Sequence, residues 1–249
     1  MTSGELLDQW KRDAAAPFEG WDFSYLAGRM IEGEPPWSYL ELAKAAVAGA
    51  QDILDVATGG GEVFSSLAPF PGRARAVEGY VPNIAVARRR LEPLGVAVFE
   101  GNTRSGMPFE DGAFDLVLSR HGGFRAAEMH RILQPGGTFL TQQVGGDNLA
   151  DLAAGFGARL AYPDNTLERV CDDLAALGCE IQLQEAWRGP ATFHDVGALV
   201  YFLTAIPWVI EGFEVERSLD VLQSLHRQLQ SGRPLQFTYS RFLVQAVKA

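Results

Sequence analysis

The sequence predicts an α/β chain built on a doubly wound sheet of seven strands, mostly parallel, with an antiparallel last strand and helical cap elements added to it. Two observations lead there. Between residues 52 and 144, short apolar runs alternate with helical or mixed segments, the pattern of a parallel sheet covered on both faces. Two successive runs, Ile53-Leu54-Asp55-Val56 and Ala74-Arg75-Ala76-Val77-Glu78, each carry a carboxylate at or near their end and lead into a glycine-containing turn. The chain of 249 residues, 47% hydrophobic, can bury one substantial core and is read as a single domain with an elaboration.

The elements follow in order. Residues 1–50 form an N-terminal helical cap. It holds a helix around Glu5 to Ala14, the aromatic stretch Phe18, Trp21, Phe23 and Tyr25, and a second helix starting near Ser38, where Ser38-Tyr39-Leu40-Glu41 has the spacing of a capping box. The core, 51–190, begins with strands near 52–56, 74–78, 96–100, 114–119 and 138–144, with a helix from about Asn83 to Leu91 after Pro82. A helix near Thr166 to Leu177 closes on Gly178, and Glu180 to Ala186 supplies the sixth strand. Residues 191–234 form an insertion rich in large apolar side chains, including Tyr201, Phe202, Trp208 and Ile210, followed by an amphipathic helix over Glu216 to Leu229. The last strand lies in 235–249, over Phe237 to Ala246.

Composition narrows the function. A net charge of −10 opposes nonspecific binding to nucleic acid or anionic membranes, both of which are driven by basic surface. The only arginine cluster, Arg88-Arg89-Arg90, falls at a predicted helix end, where it complements the macrodipole. No apolar stretch reaches eighteen residues, and Met1-Thr2-Ser3-Gly4-Glu5 lacks the form of a signal peptide, so a cytoplasmic protein is expected. Two cysteines, Cys171 and Cys179, are too few for a two-by-two zinc site and are assigned to packing. No metal site is expected.

The turn Val56-Ala57-Thr58-Gly59-Gly60-Gly61-Glu62 is the centre of the functional reading. A buried parallel strand delivers Asp55 to the carboxyl edge of the sheet, and the glycines allow positive φ and close approach of a ligand to bare backbone. A phosphate-cradling loop needs a Gly-Lys-Ser/Thr ending, and nothing basic lies between Gly59 and Ala68. A dinucleotide fingerprint starting at Gly59 places Phe64 where the third glycine belongs. A glycine turn without ligand is the plain alternative. Glu78 weighs against it, because an ionised carboxylate at the end of the second strand accepts hydrogen bonds from both hydroxyls of an unphosphorylated ribose.

Five stretches in order then resemble the class I S-adenosylmethionine-dependent methyltransferases, in particular the small-molecule group that includes the quinone-biosynthesis enzymes. They are Leu54 to Glu62, Val77 to Asn83, Met107 to Ser119, Arg131 to Gly137, and the strand Thr138 to Val144. Alanine stands at Ala57 where this family commonly has glycine, and Glu78 lies four residues before Pro82 rather than three. The resemblance implies a Rossmann-like fold and S-adenosylmethionine as cofactor. It further implies that Asp55 and the backbone of Ala57, Thr58, Gly59, Gly60 and Gly61 lie near the methionine moiety. Glu78, followed by Gly79, would sit on the ribose, Asn102 and Thr103 near the adenine edge, and Ser119 with Arg120 beside the methionine side.

The implied reaction is in-line displacement on an activated methyl, in which orientation does most of the work and a general base is needed only if the acceptor must lose a proton. His121, after the fourth strand, is the first candidate base, and His194, opening the insertion, is the second. For each, a structural, hydrogen-bonded histidine is the competing reading. His130 and His226 are assigned no role. The expected partner is a small, partly hydrophobic molecule, with the oligomeric state open and a homodimer included. Two other readings are carried: a nicotinamide-dependent oxidoreductase, and a non-catalytic protein that binds the cofactor. An RNA methyltransferase is disfavoured by the acidic balance.

Overall fold

The structure, a computed structural model, describes residues 2–19, 21–102 and 106–249. In chain order its helices and strands are α1 (Ser3–Ala14), β1 (Met30–Glu32), α2 (Tyr39–Gly49), β2 (Asp52–Val56), α3 (Glu62–Ser65), β3 (Arg73–Glu78), α4 (Val81–Leu91), β4 (Ala97–Glu100) and β5 (Phe114–Arg120). They continue with α5 (Ala126–Ile132), β6 (Leu133–Val144), α6 (Ala150–Gly155), α7 (Leu167–Ala176), β7 (Cys179–Phe193), α8 (Val196–Ala205), α9 (Leu219–Gln230) and β8 (Leu235–Lys248). The chain forms two compact units: a first of residues 1–35, 146–164 and 187–240, and a second of residues 36–145, 165–186 and 241–249.

The second unit contains the parallel sheet. β2 pairs in parallel with β3 and β5, β3 with β4, and β5 with β6, while the end of β8 runs antiparallel to β6, with Thr138 opposite Val247 and Val144 opposite Arg241. The strand order is β1-β7-β8-β6-β5-β2-β3-β4. The sheet therefore has eight strands and not the seven expected. The addition is β1, three residues of half-buried or exposed Met30-Ile31-Glu32 paired antiparallel with β7 in the first unit. A segment that short and exposed carries no period-two apolar signature, which is why the sequence does not announce it.

Side-chain alternation along the central strands builds two apolar layers in the second unit. Leu54, Val56 and Val117 point into one, with Phe139, Met129 and Leu174; Ile53, Leu116 and Leu118 point into the other, with Phe64, Leu91 and Val47. Cys171 and Cys179 are free thiols buried in the first of these layers. Phe64, the residue that breaks the dinucleotide pattern, is 1% exposed and packs on Phe70 with ring centres 4.7 Å apart. Ser38 caps α2 by accepting from Glu41 N, and Pro82 sits in the first turn of α4, where its missing N–H costs nothing.

The first unit has its own core around α8, whose residues 196–203 are all buried. α1 begins with a complete capping box between Thr2 and Glu5. Arg29 is the unit's polar hub. Its guanidinium reaches both carboxylate oxygens of Asp195, at 2.9 and 2.6 Å, and Asp13 at 3.1 Å, while Tyr25 donates to Asp13 at 2.8 Å. Asp195 also caps α8 through Ala198 N, so one arginine holds α1 and the start of α8 together. No described helix is long and apolar enough to cross a membrane.

Candidate functional site

The carboxyl ends of β2, β3 and β5 lie side by side, with Val56 opposite Val77 and Ser119. That register brings together most of the residues singled out by sequence. After Val56 the chain turns through Ala57 (φ 57°), Gly59 (φ 63°) and Gly61 (φ 80°), three left-handed residues in five. Gly60 is held from both sides: a Cβ there would lie 2.2 Å from the Glu62 carboxylate, and its carbonyl accepts from Arg90 Nη1 at 2.5 Å. Arg90 also pairs with Glu62. The arginine assigned to the helix macrodipole thus reaches back thirty residues to brace the glycine turn.

Glu78 ties the two strand ends. Its Oε2 accepts from Gly59 N at 2.6 Å and its Oε1 from Tyr80 N at 2.7 Å, and the residue is only 6% exposed. Burial raises its pKa, while the backbone donors of Tyr80, Gly59 and Gly79 work in the opposite sense. Each carboxylate oxygen holds a second lone pair, so the backbone bonds leave acceptor capacity for hydroxyls. Gly79 stands against Asn102: a Cβ on Gly79 would meet the Asn102 Cβ at 3.1 Å. Asn102 bridges to Gly106, and Thr103 lies outside the described residues.

Asp55 is buried and its pKa is raised to about 7, first by burial and then by the charge of Glu78; Thr58 and Arg120 counteract the rise. The Thr58 hydroxyl influences Asp55 without reaching a hydrogen bond of ordinary geometry, and its oxygen is buried without a hydrogen-bond partner. An orphaned buried hydroxyl in a glycine turn is what a polar ligand would satisfy. Together with the buried acceptor Glu78 and the turn at Gly60, where a side chain would collide with Glu62, it fits an adenosyl amino-acid cofactor, for which Asp55 supplies a carboxylate beside the turn.

At the end of β5, Ser119 is completely buried and Arg120 is exposed. His121 follows with φ 57°, its N–H donating to Gln142 O at 2.8 Å. As a residue it is exposed, yet the protein packed around its imidazole, and then the charges of Arg120 and Arg241, push its pKa down from the ordinary histidine value. His121 Nε2 lies 3.0 Å from Gln142 Nε2, and Gln142 Oε1 accepts from Trp37 Nε1 at 2.8 Å. His194 belongs to the first unit, exposed, with its backbone N–H bonded to Arg29 O.

Three residues of this neighbourhood escaped sequence reasoning: Trp37, Gln142 and Tyr39. Burial first, and then the Asp55 charge, push the Tyr39 hydroxyl well above its usual pKa. The signal for Tyr39 and Trp37 was their place beside the Ser38 cap, which marked only a helix start. Two open depressions, one lined by Leu152, Phe156 and Leu225 and the other by Pro17, Tyr25 and Tyr201, lie in the first unit. Neither touches the glycine turn, so concavity alone does not mark the site. Among the described residues no His, Cys, Asp and Glu group could hold a metal ion.

Comparison with known proteins meets this geometry. Residues 54–141 match the family model of a methyltransferase domain. The demethylmenaquinone methyltransferase of Chlorobaculum tepidum is 36% identical over 96 residues, a match spanning 34% of this chain and 37% of that protein's length. Among solved structures, a Bacillus halodurans protein with a provisional methyltransferase assignment superposes with a TM-score of 0.62 at 22% identity, covering 85% of this chain and 98% of its own. A geranyl diphosphate methyltransferase, solved with its diphosphate substrate and sinefungin, gives a TM-score of 0.51 at 15% identity, covering 84% and 77%. Residues 54–141 are thus similar to a methyltransferase domain, on a fold shared with these solved structures, and the match spans 37% of the length of the curated relative.

Proposed function

We propose that the protein is an S-adenosylmethionine-dependent methyltransferase that acts on a small-molecule acceptor by in-line transfer. The observation that carries this reading is Glu78: a buried carboxylate at the end of β3, held by Gly59 N and Tyr80 N with acceptor capacity left on both oxygens. When bound, the cofactor supplies a methyl group activated by a positively charged sulfur. In this reading Glu78 accepts the ribose hydroxyls, Asn102 borders the adenine, and Thr58, Gly59 and Gly60 line the methionine side with Asp55. A small acceptor is supported by the geranyl diphosphate relative.

Binding of S-adenosylhomocysteine, measured calorimetrically, tests the reading. Glu78→Ala should weaken it by about 1.5–3 kcal/mol, the range for hydrogen bonds to a charged group. Glu78→Gln, which keeps the shape and one acceptor oxygen, should lose less. Unchanged affinity in both variants would remove Glu78 from the site. NADH titrated alongside separates the oxidoreductase reading, which binding of NADH alone would favour.

A further inference from the structure

The side-chain bonds around His121 determine which of its nitrogens carries the proton. The Trp37 indole N–H can only donate, so the Gln142 atom 2.8 Å from it must be the amide oxygen. The other end of that amide is then the NH2 group, which also can only donate. It stands 3.0 Å from His121 Nε2, and a hydrogen bond at that distance requires Nε2 to offer its lone pair. An imidazolium, or the tautomer with hydrogen on Nε2, would set two donors against each other. Gln142 cannot turn its amide over to relieve this without abandoning the indole, and at 5% exposure it has little water to replace that bond.

We propose that the Trp37–Gln142 pair locks His121 as the neutral tautomer protonated on Nδ1, so that its ring serves the candidate site as a hydrogen-bond donor rather than as a general base. Gln142 is the positioning residue, since it acts through the histidine. The backbone cooperates. Arg120 pairs with Gln142 in the β5–β6 register, and the His121 N–H bonds the Gln142 carbonyl, so ring and amide are held by the same two strand ends. With the basic Nε2 lone pair capped by Gln142, the ring has no free base to take a proton from an acceptor. Its Nδ1–H suits an acceptor atom that carries a lone pair or negative charge. The location of the proton stands independently of methyl transfer; this use of it rests on the function proposed above.

Nitrogen NMR of protein containing 15N-labelled histidine reads the tautomer directly. The chain has four histidines, and the His121 signals are those lost in His121→Asn. At neutral pH the wild-type protein should show a protonated, pyrrole-type Nδ1 and an unprotonated, pyridine-type Nε2. Gln142→Glu replaces the amide donor with an acceptor for both Trp37 and the ring, beside the positive charges of Arg120 and Arg241, and should move the proton onto Nε2. Trp37→Phe frees the amide to turn and should populate the Nε2–H form. A wild-type spectrum with hydrogen on Nε2, or a pattern that Gln142→Glu leaves unchanged, would overturn the proposal. His121→Asn serves only to assign the signals; the tautomer itself is read in the wild-type protein, and it is indifferent to whether the protein methylates anything.

Discussion

Ala57 sits at φ 57°, in the left-handed region where a Cβ is strained, and its Cβ takes the space that a side chain on Gly122 would need, 2.4 Å away. The two positions are therefore one steric unit. Gly122→Ala alone should destabilise the fold by about 1–3 kcal/mol, as overpacking does, and much less when combined with Ala57→Gly. Urea denaturation of the four proteins in the cycle measures this, and additive effects would show that the contact is not felt. Asp55 gives a second expectation at this scale. Its folded pKa near 7 lies above the ordinary carboxylate value, so the folded state binds the proton more tightly than the unfolded chain. The resulting stability is fully present below about pH 4 and is lost as pH rises through 7, at up to about 1.4 kcal/mol per unit. Asp55→Asn should flatten that part of the stability profile, and an unchanged slope would assign it to another group. Asp55, Glu78 and the glycines were legible because strand ends and φ > 0 turns leave marks in local sequence. Gln142 and Trp37 were not, since their meaning lies in a contact across 105 residues.

Among the elements, α4 does more than cover the sheet. Its Leu91 fills the space that Gly61 leaves empty, and its Arg90 holds the Gly60 carbonyl and the Glu62 carboxylate. Arg90→Ala should leave the helix and its apolar contacts in place while loosening the turn. With the arginine side chain 39% exposed, solvent screens the interaction, and a loss of only a few-fold in S-adenosylhomocysteine affinity is expected. An equal loss of thermal stability and of affinity would instead mean that the helix itself had come apart. The run of three arginines was read as a generic helix end because charge at a C-terminus is common and a long-range brace has no local signature. The same asymmetry governs the rest of the fold. The five parallel strands, α2, α4, α7 and α9 were legible from apolar runs and caps. α8 was seen only as an apolar stretch, for it is buried on every side and shows no amphipathic period. β7 runs from Cys179 to Phe193, twice the length its apolar run suggested, because much of it is exposed.

For the whole molecule, the division into two units makes the location of ligand-linked stability a test of the site. A ligand that binds only the folded state adds RT ln(1 + [L]/Kd), about 2.7 kcal/mol at a hundredfold excess over Kd. Both strand ends that Glu78 joins, and the Arg90 brace behind them, belong to the second unit. Hydrogen exchange with and without S-adenosylhomocysteine should therefore show the largest added protection in residues 53–61 and 77–84, where Gly59 N and Tyr80 N already bond a buried acceptor. The strands β2, β3 and β5, which share the register beneath the turn, should follow. The first unit is stabilised by contacts of its own, the apolar shell of α8 and the Asp13–Arg29–Asp195 pairing, none of which the glycine turn supplies. Its α1 and α8 amides should gain least. Protection that is largest in α1 or α8 would relocate the binding site to the first unit and take the cofactor away from the turn after Asp55.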